Sequence, residues 1–142
     1  MPGQPQLNPA AIPPQFIGID ASNLVTRQSG TPTIFLRRGQ ATEVSLRFQL
    51  GGSAADWLSR IPGITFSIVY AFEGQGPIGE PRFVMAGNLV AGKLVYDHPE
   101  TRATIPANTL QAGLYKLSGF VNFPGGLTLL AFFEGLLVEV SD

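Results

Sequence analysis

The most constraining feature of the chain is the strict alternation of apolar and polar residues between positions 42 and 50. One side carries Val44, Leu46, Phe48 and Leu50, and the other carries Glu43, Ser45, Arg47 and Gln49. Because successive side chains of a strand point to opposite faces, this period of two predicts a strand with one buried and one solvated face. Residues 64–72 repeat the pattern, with apolar positions at Ile64, Phe66, Ile68, Tyr70 and Phe72.

The remaining strand patterns make the chain all-β. A first strand at 16–25 and 33–38 is broken by the turn sequence at 29–32. The other strands are predicted at residues 82–85, 93–96, 102–105, 113–123 and 130–140, and the last two are joined by a Pro-Gly-Gly turn at 124–126. Several short strands with almost no helix predict two packed sheets. We therefore expect one sandwich domain over residues 16–142, with about seven to nine strands.

One short helix is predicted at residues 53–60. Ser53 can cap its first turn, and the Pro-Gly pair at 62–63 ends it. We expect Trp57 and Leu58 to fold over one end of the sandwich as a lid. The alternative for Trp57, the only Trp of the chain, is stacking on a sugar ring, but no aromatic partner accompanies it in the sequence.

The composition excludes several classes of site. The chain has no Cys, so thiolate zinc sites and redox centres are ruled out. Charged residues make up 13% of the sequence, against roughly 25% in ordinary soluble domains. The net charge of −1 gives little colloidal repulsion and favours association. Nucleic-acid binding needs a basic stripe, and Arg37 and Arg38 are the only adjacent basic pair, so no nucleic-acid partner is expected.

The first fifteen residues form a segment of different composition. Prolines stand at positions 2, 5, 9, 13 and 14, and each biases its own and the preceding residue toward extended backbone. Two interpretations stay open for this Pro-rich N-terminal arm (residues 1–15): a polyproline-type tail, or an arm that lies on a neighbouring subunit. Neither a signal peptide nor a membrane-spanning stretch is apparent, so we expect a cytoplasmic or particle-bound protein without membrane insertion.

The sequence Leu-Gln-Ala-Gly-Leu-Tyr-Lys-Leu at residues 110–117 resembles the E–F corner of immunoglobulin-like domains. In those domains a Tyr near the start of strand F bonds back to the backbone of the corner. Tyr115 matches that Tyr, and Gly113 and Leu110 complete the corner. Leu117 falls where antibody-type domains place their second Cys. The resemblance implies an immunoglobulin-like or fibronectin-type sandwich of a cysteine-free, bacterial or phage-type branch.

Few residues offer catalytic or metal-binding chemistry. His98 is the only His, and Asp97 and Glu100 lie close to it in the sequence. Zinc needs three or four convergent ligands and calcium six to eight oxygens, so a solvated turn is the favoured interpretation. The other carboxylates are scattered over strand ends and loops. We therefore predict a non-catalytic protein that binds no cofactor and no metal.

Glu134 and the glycine-rich loop at 74–81 are further candidate sites. By alternation Glu134 shares a face with Phe132 and Leu136, so a charge on that face needs a partner such as Arg47. The alternative for Glu134 is a catalytic acid with a perturbed pKa. The loop lacks the Lys and the following helix of a phosphate loop and is typical of a hairpin connection.

The outer face of three predicted strands, 64–72, 113–123 and 130–140, is unusually apolar. Outward faces of sandwich strands are normally polar. Here alternation places on the outside Val69, Ala71, Phe120, Phe133 and Leu137. Monomers rarely leave such a patch in water, so a second copy, the chain's own arm or another protein subunit is expected to cover it. Phe133→Asp is accordingly expected to reduce association and leave the fold intact.

These features predict a self-associating structural or interaction module. It would be a subunit or accessory protein of a larger assembly, such as a phage particle, an injection machine or a surface filament. The alternative is a ligand-binding module for a glycan or peptide that uses the loops at 74–81 and 97–101.

Overall fold

The computed structural model describes residues 16–125 and 129–142. The strands, in chain order, are β1 (Gly18–Gln28), β2 (Thr31–Pro32), β3 (Phe35–Arg37), β4 (Thr42–Gly51), β5 (Thr65–Gly74), β6 (Arg82–Asn88), β7 (Val95–Tyr96), β8 (Ala103–Ile105), β9 (Gly113–Asn122) and β10 (Leu130–Ser141). A short helix, α1 (Ala55–Ser59), connects β4 to β5. The N-terminal arm predicted at 1–15 lies outside the described residues, as does the last residue of the turn predicted at 124–126.

The strands form two sheets, which confirms the prediction of an all-β, two-sheet sandwich. The first sheet has the order β2-β1-β4-β7, with β8 also paired to β4, and the second has the order β3-β10-β9-β5-β6. Neighbouring strands pair antiparallel, apart from β3 and β10, which are parallel. Since β5, β9 and β10 lie side by side, the three strands predicted to be neighbours in one sheet are neighbours.

The core is made by the inward side chains of both sheets. On β4 and β5 the apolar positions of the two alternating patterns, from Val44 to Leu50 and from Phe66 to Phe72, are almost completely buried. The rings of Phe48 and Tyr96 stack with centroids 4.9 Å apart. Burial of each such large side chain contributes roughly 1.5–3 kcal/mol relative to exposure. The period of two in the sequence therefore corresponds to the inner faces of the sandwich.

The chain crosses from the first sheet to the second between β2 and β3. Ser29 and Gly30 both have positive φ and make the tight turn into β2, at the position of the predicted break. β3 then pairs with the end of β10 in the other sheet. Gln28 is buried and fixes this crossing, because its side-chain amide donates to the Arg37 carbonyl and accepts from the Arg37 N–H, both at 2.9 Å.

The helix is shorter than predicted, and only half of the predicted lid forms. Its N-cap residue is Ala54, which makes no side-chain cap, so the predicted capping by Ser53 is wrong. Leu58 is buried, but Trp57 is 64% exposed. Adjacent residues of a helix do not share a face, so one apolar side chain of this pair has to point to solvent.

A β-bulge at Gly135 changes the faces of β10. The register between β10 and β9 shifts between Glu134 and Leu136, and Gly135 has a φ of 117°. An extra residue in one strand reverses the alternation on one side of it. The side chains after the bulge keep their predicted faces, whereas Phe132 points outward and Phe133 points toward the core. The prediction of an outward Phe133 is therefore wrong.

Candidate interaction surface

A row of apolar side chains crosses the outer face of the second sheet. Val84 on β6 is opposite Val69 on β5, Val69 is opposite Phe120 on β9, and Phe120 is opposite Phe132 on β10. Leu130 follows on β10, two residues before Phe132 and on the same face. The exposed fractions are 63% for Val84, 58% for Phe132 and 59% for Leu130. We call these five residues the outer apolar patch.

The residues predicted from the sequence fall on both sides of this sheet. Val69, Ala71, Phe120 and Leu137 lie on the outer face, and Leu137 is 51% exposed. Phe133 lies on the inner face opposite Gly119. A Cβ added at Gly119 would contact Leu46 and Tyr70, which belong to the core. Phe133 therefore takes no part in the outer surface.

Sequence reasoning missed three residues of the outer apolar patch: Val84, Leu130 and Phe132. A signal for Phe132 was present, because a glycine inside a strand often marks a bulge and Gly135 interrupts the run. When the pattern is read separately on each side of Gly135, Phe132 is assigned to the outer face and Phe133 to the inner face. Val84 carried no such signal, and β6 extends three residues beyond the predicted strand at 82–85.

A band of charged residues lies beside the outer apolar patch. Glu134 faces outward, and one of its carboxylate oxygens is 3.5 Å from the Lys116 ammonium group. Glu73 is opposite Lys116 on the neighbouring strand, and Arg82 is on β6 opposite Ala71. The predicted pairing of Glu134 with Arg47 is wrong, because Glu134 does not point into the core. Two positive and two negative side chains balance one another in this band.

The predicted corner around Tyr115 contains the expected hydrogen bond from this Tyr to the backbone. The Tyr115 hydroxyl donates to the Gln111 carbonyl at 2.7 Å, and burial raises the pKa of Tyr115. Leu110 is buried, and its carbonyl accepts from the Arg38 guanidinium at 3.0 Å. Gly113 has a φ of 151°, and an added Cβ would lie 2.6 Å from an Ile78 methyl carbon, so the corner requires glycine there.

His98 lies in a small cluster with Glu43 and Arg102. The His98 Nε2 is 3.0 Å from one carboxylate oxygen of Glu43, and the Arg102 guanidinium is 3.2 Å from the other. The hydrogen bond with His98, assisted by the charge of Arg102, holds the pKa of Glu43 below its ordinary value. Of the two acidic residues near His98 in the sequence, Asp97 accepts from the His98 N–H at 2.8 Å, and Glu100 is 2.7 Å from the Lys93 ammonium group. Within residues 16–125 and 129–142, no group of three or more metal-ligating side chains converges.

The loop at 97–101 is fixed to the core. Thr101 is completely buried, and its hydroxyl donates to the Leu46 carbonyl. The Tyr70 hydroxyl donates to the Thr101 carbonyl at 2.6 Å, and burial raises the pKa of Tyr70 above its usual range. The polar groups of this loop are therefore used for internal contacts.

The loop at 74–81 borders an open hollow at one end of the sandwich. The Gly79 N–H donates to the side-chain oxygen of Gln111 at 2.9 Å, and Ile78 packs against the core. The hollow is lined by Gly79, Glu80, Pro81, Thr109, Gln111 and Tyr115. The loop at 97–101 contributes nothing to this lining, since it lies beside the middle of β4. The two loops named as a ligand site thus do not line a common hollow here.

Comparison with protein-family models gives no match, and comparison with curated proteins gives no significant match. Among the residues that the structure describes, no helix has the length and apolar character needed to cross a membrane.

Proposed function

We propose that this protein is a non-catalytic structural or interaction module that associates with copies of itself through the outer face of the second sheet. The observation that carries the proposal is the outer apolar patch, which places Phe132, Val84 and Leu130 in solvent with more than half of each side chain exposed. Contiguous apolar surface of this kind is typical of a protein–protein interface. A subunit or accessory role in a phage particle, injection machine or surface filament fits such a module.

A second copy of the chain is the partner that this surface fits best. The charges beside the patch balance, and Lys116 already lies next to Glu134. A strongly charged partner would therefore gain little from this face, whereas an identical face can oppose each positive side chain with a negative one. Two-fold interfaces bring the same patch of both subunits together, and they are the commonest arrangement among soluble oligomers.

We further propose that the sandwich is immunoglobulin-like. Three observations support this: the hydrogen bond of Tyr115 to the corner, the pairing of β4 with β1 and with β8 in the first sheet, and the placement of β9 between β5 and β10 in the second sheet. They correspond to strands A, B and E on one side and C, F and G on the other in that fold. The fold by itself does not fix a function, so the functional proposal depends on the surface.

The test of self-association is Phe132→Asp, compared with Gln49→Asp on the exposed face of the first sheet. A charge in the centre of a buried interface is costly, so we expect Phe132→Asp to shift the mass measured by light scattering toward the monomer. The Gln49→Asp protein should keep the mass of the parent. If the parent is already monomeric at high concentration, or if Phe132→Asp leaves its mass unchanged, the proposal is wrong.

Phe133→Asp distinguishes the two faces of β10. Because Phe133 packs against the core, we expect this change to lower the free energy of unfolding by about 2–4 kcal/mol. Phe132→Asp, at an exposed position, should change it by less than about 0.5 kcal/mol. Urea denaturation of the two proteins gives the comparison, and a larger loss for Phe132→Asp would contradict the face assignment.

The alternative function, glycan or peptide binding by the loops at 74–81 and 97–101, has weaker support. The charged groups Glu43, Glu100 and His98 are paired within the protein, and only one of the two named loops lines the hollow at Gly79. Trp57, the exposed aromatic residue most suited to stacking on a sugar, lies on α1 and outside both loops.

A further inference from the structure

The free edge of β10 is paired over only part of its length. On the side away from β9, β3 pairs with Glu139, Val140 and Ser141. Within residues 16–125 and 129–142, no strand pairs with that edge between Leu130 and Leu137. Unpaired backbone donors and acceptors along a strand edge are a template for the addition of another strand.

An apolar hollow lies next to this edge, between β10 and β1. Its lining includes Leu24, Val25, Pro32, Ile34 and Leu136, and Ile34 is 44% exposed. Phe133, which points inward, is only partly buried, since the sheet ends at β10 along this stretch. A strand added beside residues 130–137 would therefore satisfy backbone groups and cover apolar side chains at the same time.

The edge of β1, on the other side of the hollow, is protected. Asp20 and Ser22 are exposed on it, and the register with β4 shifts between Ser22 and Val25. Charged side chains and bulges are the usual devices that prevent strand addition. On β10, Glu134 is the only charged side chain between Leu130 and Leu137 and the bulge at Gly135 is the only irregularity, so residues 130–133 are a regular, uncharged stretch of this edge.

The N-terminal arm has the sequence pattern that this edge requires. In a strand, backbone groups directed at one neighbour recur at every second residue. Between Gly3 and Ile12 both prolines, Pro5 and Pro9, are at odd positions, so every even position keeps its N–H. Proline is tolerated in a strand where its nitrogen faces away from the ladder. The even positions can therefore pair with β10, and the prolines would block any further pairing on the outside.

The side chains of the same segment alternate as well. Pro5, Leu7, Pro9 and Ala11 would share one, wholly apolar face of an extended strand. The other face would be mixed, with Gln4, Gln6, Asn8, Ala10 and Ile12. Residues 1–15 contain no charged side chain. This is the pattern of an edge strand with one apolar face, and it suits an edge next to an apolar hollow.

We propose that residues 3–12 of one chain add as an extra strand to the edge of β10, at residues 130–137, of a second copy. The inference rests on the proposed self-association and names the segment and the edge that take part in it. In a two-fold dimer the exchange is reciprocal, so each subunit would donate one arm and accept one.

The sequence just before Phe16 favours a second copy over the chain's own arm. Phe16 is fixed to the first sheet, because its carbonyl accepts from the Ala54 N–H at 2.7 Å, and Ile17 is buried. The hollow lies alongside β1, so an arm reaching its own hollow has to fold back just before Phe16. Proline restricts its own φ and disfavours helical geometry at the preceding residue, so the sequence Pro13-Pro14 is predicted to oppose that reversal.

Cross-linking tests the proposal directly, because the chain has no native Cys. One chain carries Asn8→Cys and a co-expressed, differently tagged chain carries Glu134→Cys; a short bis-maleimide is then added. We expect a cross-linked heterodimer. Replacing the acceptor by Gln49→Cys, on the first sheet, or by Ala86→Cys, on the opposite edge strand β6, should give several-fold less product.

Two results would overturn the proposal. Equal cross-linking to position 49 or 86 would mean that the arm has no defined position on β10. Cross-linking only within a single chain that carries both Asn8→Cys and Glu134→Cys would mean that the arm pairs with its own sheet.

A matched pair of proline substitutions tests the pairing of the arm. Ala10→Pro removes an N–H that faces β10, and Ala11→Pro removes one that faces solvent. We expect Ala10→Pro to raise the dissociation constant of the dimer about tenfold and Ala11→Pro to leave it within about twofold of the parent. Equal effects of the two substitutions would exclude a pairing in which the even positions of the arm donate their N–H groups to β10.

The outcomes separate this inference from the proposed function. If Phe132→Asp dissociates the protein while both proline variants and all cross-links match their controls, self-association stands and the arm inference is wrong. If Phe132→Asp has no effect but the Asn8–Glu134 cross-link forms between chains, the arm holds the dimer and the outer apolar patch does not.

Discussion

Glu43 shows how single residues of this protein are used for internal contacts. It is on β4, paired with β8, and its carboxylate contacts both His98 and Arg102. These three side chains are less than half exposed, so their mutual contacts are only partly screened by water. The only His of the chain thus has a structural partner, which is why it offers little as an isolated catalytic group.

The acid sensitivity of folding should depend on Glu43. Its pKa in the folded protein lies below its ordinary value of 4.5, chiefly because of the hydrogen bond with His98. The stability that Glu43 contributes is therefore complete above pH 4.5 and is lost as the pH falls through the folded-state pKa. Between pH 6 and pH 3, we expect the free energy of unfolding to fall less for Glu43→Gln than for the parent. The two decreases should differ by up to about 1 kcal/mol.

Urea denaturation at several pH values measures this difference. His98→Gln removes the main cause of the lowered pKa and should reproduce much of the effect of Glu43→Gln. If the acid dependence of both variants equals that of the parent, the contact between Glu43 and His98 makes no contribution in solution.

At the scale of one element, β10 decides which side chains reach the outer surface. The bulge at Gly135 lets Ala131 and Phe133 face the core before it and Leu136, Val138 and Val140 face the core after it. A regular strand would have to turn either the first or the second group outward. The outward position of Phe132 follows from this one residue.

Gly135→Ala tests how much the bulge depends on glycine. The φ of 117° is unfavourable for a residue with a Cβ, although nothing lies within 4 Å of the added atom. We therefore expect a loss of about 1 kcal/mol or more in the free energy of unfolding. Gly39→Ala is the matched control, because Gly39 has the same open surroundings without a positive φ and should change stability by less than about 0.5 kcal/mol. Equal losses would contradict a conformational role for Gly135.

The long alternating strands were predictable, and the irregular ones were not. The pattern at 42–50 follows from burial of one face alone, so β4 and β5 appear where the sequence predicts them. The faces of β10 depend on a bulge, which alternation cannot locate, and the exposure of Trp57 depends on how α1 is rotated against the core. The pairing of His98 with Glu43 joins residues on different elements, and only the sheet register brings them together.

At the scale of the whole molecule, two neighbouring surfaces of the second sheet are available for association. The outer apolar patch covers its face, and the unpaired stretch of β10 forms its edge. Phe132 belongs to both, since it is in the patch and on the strand whose edge is free. The sandwich has its own core in residues from both sheets, so it should fold without the N-terminal arm.

Removal of residues 1–15 should therefore weaken association without unfolding the sandwich. In light scattering after size exclusion, we expect the full chain to form a defined oligomer, and both the truncated chain and Phe132→Asp to dissociate at higher concentration. Because the arm would lie beside Phe132, the two changes should be coupled, and their combined effect on the free energy of association should be smaller than the sum. A truncated chain with the mass and dissociation constant of the full chain would remove the arm from the interface. A monomer in every case, at every concentration, would contradict self-association and leave the chain's own arm or another protein as the cover of the outer apolar patch.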